Sequence, residues 1–157
     1  MILQLSDLVK DREKIDLKDI CSTWTWLIAE QKHVLFVSVF GDIFFLGPKS
    51  EVNWLDCGAG ELTKVARTLT EFQNMLGNKD SIAEWFLTDL YIELQEKKIL
   101  LKENEVYGYK KLPILGGEYR LDNIQPIDMT VHFHSSGKIC EEAMTSAEED
   151  TEETNES

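Results

Sequence analysis

Residues 34–46 constrain what this chain can fold into more than any other stretch. VLFVSVF at 34–40 and IFFL at 43–46 are β-branched and aromatic runs, parted only by Gly41-Asp42. Such side chains suit a pleated backbone, and a glycine between two of these runs supplies the positive φ of a tight hairpin. The spacing predicts a two-residue Gly-Asp loop. Gly47-Pro48-Lys49-Ser50 marks a second turn and residues 52–55 a third strand, which completes a three-strand antiparallel meander. The runs are apolar on both faces, whereas a strand with one wet face alternates with polar residues. Both faces must therefore be covered, one of them by helices.

The covers are legible on either side of the meander. Residues 2–21 read as one or two short helices, with Leu5, Leu8 and Val9 on one face, then Ile15, Leu17 and Ile20, and Ser6 and Asp16 as caps. Residues 23–28 (TWTWLI) fit a strand or the end of a helix. After Gly58-Ala59-Gly60, Phe72, Met75 and Leu76 recur at helical spacing, with Thr70 ahead and a glycine stop at Gly77-Asn78. Ser81-Ile82-Ala83-Glu84 fits a capping box and opens the strongest helix, whose stripe is Ile82, Trp85, Phe86, Leu90 and Leu94. Lys97-Lys98 complements its negative end. Residues 106–126 are extended and loop-rich, with short strands around Tyr107 and Tyr119 and a tight turn at Leu115-Gly116-Gly117-Glu118 after Pro113. From Ile127 the pattern fits a strand (Ile127, Met129, Val131, Phe133) or a helix (Val131, Ser135, Ile139).

The chain's 157 residues make one domain, large enough to be stable on its core alone. The expected class is α+β, an antiparallel β meander packed against helices, with one domain over residues 1–142 and a disordered acidic tail over 143–157. The charge sets that tail apart. Net charge is -13, but residues 141–157 hold eight acids and no base, which leaves the body at -5. Such a balance argues against direct nucleic-acid binding, which needs clustered Lys and Arg, and against anionic membrane surfaces. It suits a basic protein partner. The opening MILQLSDLVKDREK is too short and charged for a signal peptide, and no apolar run approaches membrane-spanning length. A cytoplasmic location is expected.

Reactive residues offer little. Cys21, Cys57 and Cys140 are an odd number with no CxxC pair, so neither a disulfide framework nor a zinc knuckle is expected. His132 and His134 would point to one side of a strand, with Cys140 six residues on, but two His and one distant Cys are a poor ligand set. Cys57 with His132 or His33 is nameable as a nucleophilic pair, as some pair always is in a chain with three of each. The Gly116-Gly117 cluster has neither the spacing nor the βαβ context of a phosphate loop. Trp24, Trp26, Trp54 and Trp85 are candidates for interface anchors, though core packing is the commoner use. The residues alone thus point to no catalytic, cofactor or metal site, no cofactor, and no identifiable partner-binding surface.

An ordered set of landmarks adds to this. Phe40-Gly41-Asp42-Ile43-Phe44-Phe45, Val52-Asn53-Trp54-Leu55-Asp56 and Gly60-Glu61-Leu62 are followed by Phe72 and Trp85-Phe86. Then come Tyr107-Gly108-Tyr109-Lys110, Pro113 with Leu115-Gly116-Gly117, Asp122-Asn123-Ile124, Val131-His132-Phe133 and Gly137-Lys138-Ile139. Over residues 24–142 this order resembles the C-terminal domain of type VI secretion DNase-immunity proteins. Lys138 stands where the family usually has Gln, the acidic tail replaces the family's usual end, and the separate N-terminal domain of some relatives is not seen. The resemblance implies an α+β fold, no catalysis, and a role in neutralising a cognate toxin, a protein encoded beside it. The competing readings are a small regulatory adaptor and a Cys/His-dependent hydrolase.

Overall fold

The computed structural model describes residues 3–155. β1 (His33–Val37), β2 (Ile43–Leu46), β3 (Val52–Asp56) and β4 (Glu61–Ala66) form one antiparallel sheet in sequential order. The meander thus has four strands where the sequence pattern gave three. β4 was hidden by its composition: ELTKVA is a largely exposed edge strand, and charged side chains at an edge discourage further pairing.

The first hairpin is also wider than the Gly-Asp spacing predicts. β1 ends at Val37, Ser38 N donates to Asp42 O (2.9 Å), and Gly41 N donates to Ser38 O (3.0 Å). Val39, Phe40 and Gly41 form the loop, with Gly41 at φ 72°, the three-residue arrangement in which glycine takes the left-handed position. Val39 and Phe40 are apolar because the loop is buried, Phe40 lying 5.5 Å from the ring of Tyr107.

β5 (Glu105–Tyr109) pairs antiparallel with β6 (Ile124–Asp128) in a second, two-stranded sheet. Tyr119 lies in the loop between them and in no strand. β6 runs directly into a long helix from Met129, so the ambiguous stretch beginning at Ile127 is both things in turn, strand to Asp128 and helix after it.

Two short helices open the chain, α1 (Leu5–Leu8) and α2 (Leu17–Cys21). Asp16 caps α2 as expected, whereas Gln4, not Ser6, precedes α1. Residues 23–28 are helical, a 3₁₀ turn at Ser22–Trp24 leading into α3 (Thr25–Ile28). α4 (Leu69–Met75) is capped by Thr68, one residue pair earlier than Thr70. The glycine stop is corrected too. Gly77 has no positive φ, and Asn78 caps the next helix, α5 (Lys79–Phe86), by accepting from the amides of Asp80 and Ser81. Ser81 is therefore inside the helix. The single long helix expected from Ser81 is two, because Leu87 (φ 47°, ψ 52°) breaks it before α6 (Thr88–Glu96).

α7 (Met129–Asn155) carries the chain's end. The helix bounds run into the acidic tail that begins at residue 143 and end at Asn155. Cys140 is buried, and Thr145 to Glu148 are exposed.

Alternation along β2 explains the two-sided hydrophobicity. Ile43 and Phe45 face a cluster with Trp24, Leu55 and Phe133, covered by α7 and the N-terminal helices. Phe44 faces the other way and meets Trp54, Phe72, Trp85 and Phe86 at ring distances of 5.5–6.1 Å, covered by α4 and α5.

Candidate functional site

The Gly41-Asp42 loop places two chemistries back to back. On one side the His132 imidazole, fully buried on the first turn of α7, bonds Gly41 O through Nε2 at 2.9 Å. A carbonyl can only accept, so Nε2 carries the proton. Burial pushes the His132 pKa down, because desolvation disfavours the imidazolium. A Cβ on Gly41 would drive into this ring.

On the other side sits Asp42, a carboxylate with only 4% of its surface exposed. Oδ1 accepts the Cys57 amide (3.0 Å) and Oδ2 the Trp54 indole N–H (3.3 Å), which ties the hairpin loop to the end of β3. Asp56 lines a common cavity with it, and its charge disfavours ionisation of Asp42. That second carboxylate accepts the amides of Gly58 (3.1 Å) and Ala59 (3.2 Å), and the Tyr119 hydroxyl at 3.4 Å. Burial raises both acids above the usual carboxylate range, Asp42 strongly and with added repulsion from Asp56.

These groups line a cavity of about 200 Å³ together with Trp54, Tyr109, Tyr119, Glu84 and Leu87. Tyr119 is 46% exposed and stands edge-on to Tyr109 at 5.7 Å. Leu87, the left-handed break between α5 and α6, lies at the rim. A non-glycine residue in that region costs of order 1 kcal/mol, and such outliers gather at functional sites. A wider groove of about 650 Å³ shares Leu87 and Tyr119 and continues past Asp89, Glu93, Arg120 and Asp122. Among the described residues no Lys, Arg or His forms an ion pair with Asp42, Asp56 or Glu84.

The reactive residues considered from sequence fall apart in space. His132 and His134 lie on a helix, so two positions apart they diverge instead of sharing a strand face. His134 Nε2 bonds Asp19 O (3.0 Å) and lies 3.3 Å from the Asp19 carboxylate. The Cys140 thiol is directed to Cys57 O at 3.5 Å, its pKa raised to about 11 by burial. Cys57 is fully buried, and desolvation with the nearby Asp42 and Asp56 holds its thiol protonated, the opposite of what a nucleophile needs. Among the described residues no three His, Cys, Asp or Glu side chains are placed to hold a metal, and no helix is long and apolar enough to cross a membrane. Trp24 is buried and stacks on Trp26 at 5.7 Å, and Trp85 belongs to the Phe44 cluster. Trp54 lines the cavity beside Asp42. Leu115-Gly116-Gly117 is the expected turn, with Gly116 at φ 95°.

Sequence reasoning named Trp54 but missed Asp42, Asp56, Tyr109 and Tyr119 as a group. Three of these stand in the FGD, WLD and YGY landmarks and Tyr119 just beyond the LGG turn, so each was visible singly. Their convergence was not.

Residues 66–139 match the family described as the T6SS immunity protein Tdi1, C-terminal, which is the family that the sequence landmarks resemble. The FGD, WLD and GEL landmarks precede the matched stretch. No curated protein matches the chain significantly. Among solved structures, the crystal structure of Atu4351 from Agrobacterium tumefaciens is similar at TM-score 0.54 and 16% identity, a likeness of fold. The alignment covers 78% of this chain but only 64% of that one, so this chain spans less than two thirds of its structural relative.

Proposed function

We propose, from the match of residues 66–139 to a type VI secretion immunity family, that this chain is a non-catalytic immunity protein that binds and neutralises a cognate toxin in the cytoplasm. Occlusion needs only a complementary surface, on the order of 800 Å² per partner, and no reactive group. The buried, protonated thiol of Cys57 and the separated histidines are consistent with a protein that works by contact. The family match is the observation that carries the reading.

An acidic body favours a basic partner, such as a nuclease, whose encounter it would accelerate. Co-expression with the toxin encoded beside its gene tests the function. The chain is expected to restore growth and to co-purify with the toxin, and raising salt is expected to slow association far more than dissociation. A folded, well-expressed chain that neither protects nor co-purifies would overturn the immunity reading.

A further inference from the structure

The cavity beside Asp42 brings aromatic rings and carboxyl groups together. Its volume, about 200 Å³, is below the range of pockets for whole small molecules and suits one long side chain. Three of its walls are aromatic, and Asp42, Asp56 and Glu84 supply carboxylates without a cationic partner among the described residues. Asp42 already spends two acceptor sites on Cys57 and Trp54, and a carboxylate has about four. An incoming cation would find acceptors in place, fixed by the Cys57, Gly58 and Ala59 amides, and would favour the ionised form that burial disfavours.

Aromatic faces together with carboxylates select among cations. A planar guanidinium stacks on indole and phenol rings and bonds carboxylates in a fork, whereas an ammonium is a hydrated point charge. We propose that the cavity walled by Trp54, Tyr109 and Tyr119 receives an arginine side chain of a protein partner, with Asp89 and Glu93 of the adjoining groove, beside the Arg120–Asp122 pair, facing the flanking surface. The identification of that partner as a toxin rests on the immunity reading. The preference for arginine rests on the cavity.

The two are separable by experiment. The isotope-labelled full chain is titrated with N-acetyl-L-arginine amide, and with the lysine analogue as comparator, while the Trp54 indole N–H and the Cys57, Gly58 and Ala59 amides are followed by NMR. Saturable shifts of these groups are expected, several-fold weaker with lysine. Tyr119→Ala and Glu84→Gln, both at exposed positions, are expected to keep the folded spectrum and weaken binding by about threefold to tenfold. Absence of saturation, equal response to lysine, or unchanged binding by both variants would overturn the inference. With the toxin encoded beside the gene, the Tyr119→Ala/Glu84→Gln double variant is expected to lose affinity and protection. A double variant that binds the toxin as tightly as wild type overturns the pocket as the contact and leaves the immunity reading intact. A wild-type chain that titrates arginine but ignores the toxin overturns the immunity reading and leaves the pocket.

Discussion

Gly41 and Asp42 are consecutive, yet they face environments of opposite kind. Gly41 presents its carbonyl to a neutral, fully buried His132, with donor and acceptor matched and no room for a Cβ. Asp42 presents its carboxyl group to a cavity that the Asp56 carboxyl also lines. The first side is closed and complete within the chain. The second is held in place by the Cys57 amide and the Trp54 indole but has no cationic partner among the described residues. The second is the side on which the proposed arginine would enter.

Substituting the closed side has the largest expected effect. Gly41→Val would suffer both a strained positive φ and a collision with His132, and about 3–5 kcal/mol of stability should be lost, read as a fall in urea midpoint. An unchanged midpoint would remove the closed contact from the comparison. His132→Ala should cost about 2–3 kcal/mol, since it leaves Gly41 O unpaired and opens a void.

The two sides should also oppose each other in pH. His132 has its folded pKa depressed below the unfolded value of about 6.5. Its contribution is present above that value and is lost as pH falls through the folded pKa. Asp42 and Asp56 are raised, so their contribution is full below the unfolded carboxylate range and is lost as pH rises through their folded values. Asp56→Asn, which keeps an acceptor for Gly58 and Ala59, should therefore raise stability modestly at pH 7 and flatten the neutral limb. His132→Gln should flatten the acid limb instead. Urea midpoints measured from pH 4 to pH 8 for both variants separate these outcomes, and a destabilised Asp56→Asn at neutral pH would show that the carboxylate's hydrogen bonds outweigh its repulsion.

The smallest effect belongs to the end of α7. Thr145 to Glu148 are exposed, so removing residues 146–157 should move the melting temperature by no more than about 2–4 °C. A larger loss would mean that this segment packs on the body.

The sequence by itself determined the double-faced meander, the covering helices and the left-handed glycine at 41, because strand propensity, turn chemistry and helical spacing are local. It fell short where local pattern and tertiary role diverge. Val39 and Phe40 read as strand because they are apolar, but they are a loop buried against Tyr107. The polar β4 did not read as strand because its pairing with β3 comes from a neighbour and not from its own side chains. The helix from Ser81 read as continuous because nothing in Leu87 forbids it, and only packing holds that residue at φ 47°. The cavity was the least legible of all. Asp42, Asp56, Tyr109 and Tyr119 are spread over 78 positions, and they become one site only when β-pairing, the β5–β6 loop and the break at Leu87 bring them together. Burial, which gives the two carboxylates their unusual chemistry, is a property of that assembly and not of any residue in it.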